Sequence, residues 1–180
     1  MSWHAQLQLD YSLEAGTTVA RHTHNGPLRV LHSLYPEGPA VCHNVLIHPP
    51  GGLVGGDLLD IRVQAHAGAQ ALITTPGATR YYRSAGEAAV QRTHIALATD
   101  ARLEWLPQET LCYNACLAEN HLTLALEPGA ESLGWDITAL GLPLAGQPFA
   151  QGQLLQHLEV PGVWLERATI AASDARLLDS

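Results

Sequence analysis

A chain of 180 residues, 47% of them apolar, is long enough to bury one sizeable core and too apolar to stay disordered. Its formal charge of −8, with nine Lys plus Arg against 17 Asp plus Glu, argues against nucleic acid and anionic membrane as partners. No apolar run approaches the roughly 18 residues of a membrane helix, the N-terminus lacks a signal-peptide plan, and three cysteines are too few for a disulfide framework; a reducing, cytoplasmic setting is expected.

In chain order, apolar and polar residues alternate through Leu7, Leu9 and Tyr11, and again at Val30 and Leu34 beyond a turn at Asn25-Gly26-Pro27. Val41 to Ile47 is a further extended candidate that runs into HPPGGLVGGD, His48 to Asp57. Two prolines and four glycines in ten residues exclude a helix or an ordinary strand there, and the bare backbone invites close packing. Leu58 to His66 resumes the alternation, with Ile61, Val63 and Ala65 on one face. Eleven prolines and sixteen glycines punctuate the chain too often for long helices.

A weak internal repeat organises the middle. IRVQAH, a turn at Ala67-Gly68-Ala69 and LITTPG form one copy; THIALA, Thr99-Asp100-Ala101 and LEWLPQ form the next. HLTLALE, Pro128-Gly129-Ala130 and SLGWDITALG form a third, and Asp174-Ala175-Arg176-Leu177 resembles the turn of a later one. A spacing of about 30 residues fits stacked β-hairpins in a β-solenoid or β-helix-like scaffold, with few or no long helices. Three unrelated hairpins in a sandwich is the alternative. The Gly141 to Pro148 stretch is the expected long loop. The expected organisation is a single β-rich domain over 1–180, incomplete at its C-terminus, because Arg176 to Ser180 carries no stop signal.

Three carboxylates interrupt strand-like apolar stretches: Asp57 after the glycine run, Asp136 after Trp135, and Glu166 in VWLERATI. If drawn inward, an ionised carboxylate needs a partner or a cation; if period two points it outward, it is merely solvated. Imidazole suits nickel, zinc and copper, and His22 with His24 would share one side of a strand while His43 and His48 flank the approach to the glycine run. None of the ten histidines has an established metal-motif spacing, so scattered turn and surface positions are expected. Cys112 and Cys116 read as small core residues. The hydroxyl- and Arg-rich Thr74 to Ser84 has no identifiable base for a nucleophile, and GGLVGGD lacks the ending of a phosphate loop.

The segments HPPGGLVGGDLL, LITTPGATRYYRS, LEWLPQET and LGWDITALG, with GPLRV and Tyr35-Pro36-Glu37 upstream, resemble those of the UreD (UreH) family of urease accessory proteins. The resemblance runs from about Trp3 to Glu166. The chain departs from it in lacking roughly the family's last third, in Leu142 where a basic residue is usual, and in Cys112-Tyr113-Asn114-Ala115-Cys116. The resemblance implies a non-enzymatic chaperone that binds the urease apoprotein and UreF, through which UreG joins. It further implies that nickel passes weakly held along an internal polar channel, with no tightly bound cofactor and no catalytic residue. Oxygen ligands suit such transfer. By motif match Asp57, Asp136 and Glu166 are the expected channel carboxylates and Thr79 a hydroxyl beside them. A β-fold metal-dependent hydrolase and a pure protein-interaction module without a metal path are the rival readings.

Overall fold

The computed structural model describes residues 2–174, so most of the turn expected from Asp174 onward lies outside the described residues. Fifteen strands follow in order: β1 (His4–Glu14), β2 (Thr17–Asn25), β3 (Arg29–Val30), β4 (Val41–Ile47), β5 (Leu58–Ala65), β6 (Gln70–Thr74), β7 (Thr79–Tyr81), β8 (Ala89–Leu97), β9 (Arg102–Leu106), β10 (Thr110–Cys112), β11 (Cys116–Leu126), β12 (Glu131–Gly134), β13 (Thr138–Leu140), β14 (Gly152–Val160) and β15 (Trp164–Ala171). Among the described residues the only helical element is a 3-10 turn at Pro143–Ala145, inside the expected long loop. No helix there is long and apolar enough to cross a membrane.

The strands wind into a β-solenoid. Each coil gives one strand to a seven-stranded sheet (β15-β14-β11-β8-β5-β1-β2), one to a five-stranded sheet (β12-β9-β6-β4-β3) and one to a three-stranded sheet (β13-β10-β7). Thus β5–β6–β7, β8–β9–β10 and β11–β12–β13 are successive coils, stacked in parallel. The two strands of a repeat do not pair with each other; they turn a corner and pair with neighbouring coils. Antiparallel hairpins close only the ends of the large sheet, β1 with β2 and β14 with β15, and β3 pairs β4 in the same sense.

The repeated turn residues make that corner. Gly68 (φ 70°), Asp100 (φ 57°) and Gly129 (φ 77°) occupy the left-handed region, which Gly adopts freely and Asp tolerates. The corners hydrogen-bond to one another, Gly68 N–H to Thr99 O at 3.1 Å and Asp100 N–H to Pro128 O at 3.4 Å. Period two then sorts the sides: Leu7, Val63, Ile95, Leu97 and Leu154 are fully buried inside and Ile61 nearly so, while Asp60, Arg62 and Gln64 of β5 lie on its opposite face.

The glycine run forms the third face of the coil that precedes β5, stacked on β7. Leu53 is fully buried and bridges Tyr81, with Leu53 N–H donating to Arg80 O at 2.7 Å and Tyr82 N–H to Leu53 O at 2.9 Å. A Cβ on Gly52 would run into the Tyr82 ring and sit 2.8 Å from Arg80 O, so only glycine lets the loop lie this close. Two local expectations differ from what forms. Val30 and Leu34 contribute a two-residue strand and a single bridge, Leu34 to His43, because Pro36 and Pro39 interrupt the pairing. SLGWDITALG is two strands, with Trp135, Asp136 and Ile137 turning between sheets.

Candidate functional site in the solenoid interior

A polar seam runs through this mainly apolar core, built by register. In the large sheet the inward positions Gln91, Asn120 and Gln156 fall on adjacent strands as lateral partners. In the small sheet Thr79, Thr110 and Thr138 do the same. Side chains one coil apart are separated by about 4.8 Å, so each set forms a ladder along the solenoid axis. Thr79, Gln91, Thr93, Thr110, Asn120 and Asp136 line one small enclosed cavity between the ladders, with Trp105 and Leu122 as apolar walls. A larger cavity of about 250 Å³ shares Thr79, Gln91, Trp105 and Pro107 with it and extends to His48, Gly51 and Gly52 of the glycine loop.

The electrostatics concentrate at Asp136. Asn120 Nδ2 donates to Asp136 Oδ2 at 2.6 Å. Burial raises the Asp136 carboxyl above its ordinary range; hydrogen bonds from Gln156 and Asn120 oppose that, and the charge of Glu166 adds to it. At the other cavity, burial lowers the His48 imidazole, with Asp57 pulling the opposite way. Thr93 Oγ1, Thr138 Oγ1 and His48 Nε2 are buried and have no hydrogen-bond partner among the described residues. Polar atoms in that condition call for water or a polar guest. Next to the seam the Cys112 thiol donates to Cys116; that bond and then burial push Cys112 up, while the same bond lowers Cys116 against the upward pull of burial. The buried Tyr81 hydroxyl donates to Glu119 O at 3.2 Å.

The structure brings Asp136 and Thr79 together on the small cavity. Asp57 is buried, but its two oxygens hold backbone N–H groups, Trp3 to Oδ1 at 2.7 Å and Val54 to Oδ2 at 2.9 Å. It staples the N-terminal residues to the glycine loop. Glu166 is exposed on β15, opposite Leu158, within electrostatic reach of Asp136. Among the described residues no three His, Cys, Asp or Glu side chains converge as a ready metal cage. Sequence reasoning passed over Gln91, Asn120, Gln156, Thr110 and Thr138 and left His48 on the approach to a turn. The available signal was the repeat itself, since members of each ladder lie about one repeat apart.

The chain matches the family model described as UreD urease accessory protein over residues 4–180. It is 67% identical over 180 residues to the urease accessory protein UreD of Polaromonas sp. strain JS666, covering all of this chain and 65% of the relative. The same figures hold for the urease accessory protein UreD of Variovorax paradoxus. That of Methylibium petroleiphilum is 51% identical over 188 residues, covering 98% of this chain and 64% of the relative. The chain spans about 65% of the length of the first curated relatives it matches. It belongs to the UreD urease accessory protein family.

Proposed function

We propose that this chain is the β-scaffold of a urease-maturation chaperone, acting in the cytoplasm without catalytic turnover of its own. It binds the urease apoprotein and UreF, with UreG joining through UreF, and nickel is its cargo. The observation that carries the nickel part is the polar seam: this chain, of a urease accessory protein family, encloses threonine hydroxyls, amides and one carboxylate where a solenoid normally packs apolar side chains. Hard oxygen donors, with waters on the orphaned hydroxyls, hold a divalent cation long enough to guide it and weakly enough to release it. Asp136 and Thr79 line the path, the charge of Glu166 acts on Asp136, and Asp57 fixes the glycine loop that His48 begins.

Co-expression with apo-urease and the other accessory proteins tests this. The account expects this chain to co-purify with urease and UreF, and Asp136→Ala to keep that assembly while urease loses nickel and activity. Normal activation by Asp136→Ala would leave only an interaction module without a metal path. A metallohydrolase would instead bind stoichiometric metal tightly in the isolated chain and turn over a small ester or amide.

A further inference from the structure

The outer face of the large sheet holds a pair of histidines that the interior seam does not use. His121 of β11 and His157 of β14 are register partners, both on the outward side of their strands. Their ring centroids are 5.7 Å apart, with planes at 37°. Each Nε2 lies 3.1 Å from a carboxylate two residues away on its own strand, Glu119 Oε2 for His121 and Glu159 Oε2 for His157. In the neutral ring that bond places the proton on Nε2 and leaves the Nδ1 lone pair available. A carboxylate behind the imidazole is the arrangement that orients metal-binding histidines and raises their basicity.

We propose that His121 and His157 form a two-imidazole site for one divalent ion of the nickel, zinc and copper class, with Glu119 and Glu159 as positioning residues. Two rings binding one ion at about 2.1 Å place their centroids roughly 4.5–5 Å apart, within about 1 Å of the 5.7 Å between this pair. The side chains are 29% and 22% exposed, held against the sheet yet open to solvent. Arg92 and Arg167 are the lateral neighbours of His121 and His157, and the two glutamates balance their charge. His94, Asp60 and Arg62 line the same groove. With two protein ligands the remaining positions go to water, and the bound ion exchanges readily. The other histidine pair is less prepared: the rings of His22 and His24 are 6.1 Å apart on an exposed edge strand, and His24 Nδ1 already meets the Arg29 guanidinium at 3.1 Å. This site does not depend on the interior path.

The purified chain, titrated with nickel chloride at pH 7.5, tests the proposal by calorimetry and by paramagnetic broadening of histidine ring resonances. The account expects one equivalent that broadens His121 and His157, weakened at least 10-fold by His157→Ala and about 10-fold by Glu119→Gln. The double variant His22→Ala/His24→Ala is expected to bind as the parent does. Absence of binding by the parent chain overturns the site. So does unchanged binding by His121→Ala/His157→Ala with the fold intact by circular dichroism, and so does binding lost on Asp136→Ala but kept by His157→Ala, which would assign the ion to the interior.

Discussion

Removing the Asp57 carboxylate is expected to damage the fold before it touches any cargo. The side chain is 2% exposed and accepts from Trp3 N–H and Val54 N–H at 2.7 and 2.9 Å. Asp57→Ala removes the shared acceptor of these two part-buried bonds, and a hydrogen bond to a charged acceptor contributes about 1.5–3 kcal/mol. Because the lost acceptor is charged, we expect a total of about 3–5 kcal/mol, a fall in Tm of roughly 6–20 °C at this chain length. Chemical denaturation with hydrogen exchange is the assay: the midpoint drops and the Trp3 and Val54 amides exchange faster, while core amides of β8 follow only the global loss. A variant within 0.5 kcal/mol of the parent, with those two amides still protected, would refute the staple. Loss of urease activation by Asp57→Ala would therefore not by itself report on nickel.

Further predictions concern the seam and the loop. Asp136 should titrate against stability in the opposite sense to a paired surface carboxylate. Its folded pKa is raised above the ordinary 3.8, chiefly by burial, so its favourable contribution is full below that value and is lost as pH rises through the folded pKa. Asp136→Asn should accordingly match or exceed the parent at neutral pH, the gap shrinking on acidification; a parent that outlasts the variant at pH 7 contradicts this. Gly52→Ala meets the Tyr82 ring and Arg80 O and should cost at least 1–3 kcal/mol, whereas Gly77→Ala meets nothing within 4 Å and should stay within about 0.5 kcal/mol by thermal unfolding. Equal stabilities for the two variants would contradict the close-packed loop.

The coil-by-coil plan was legible because it is local: period-two alternation and a recurring Gly or Asp at a left-handed corner both lie in the residues themselves. Which strand pairs with which is not local. IRVQAH followed by a turn and LITTPG has the pattern of a hairpin, and only the stacking of neighbouring coils sends its two strands into different sheets. The seam was hidden for a related reason. Gln91 and Asn120 stand at inward positions of β8 and β11, yet a polar residue in an alternating strand is ordinarily assigned to the outside. Asp136 was singled out as a carboxylate among apolar residues, and it does reach the interior, from a corner instead of a strand. Asp57 was singled out on the same logic, but its neighbours in space are two backbone donors that no spacing rule announces.

The central claim is that the interior seam conducts nickel, and the nickel content of urease matured in the presence of Asp136→Ala tests it most directly. Urease, UreF, UreG and this chain, or its Asp136→Ala variant, are co-expressed in nickel-supplemented cells, the complex is checked by co-purification, and nickel per urease active site is measured on the isolated enzyme. The account predicts an intact complex with urease nickel reduced several-fold. Full nickel loading by the variant, with the complex equally intact, would contradict it.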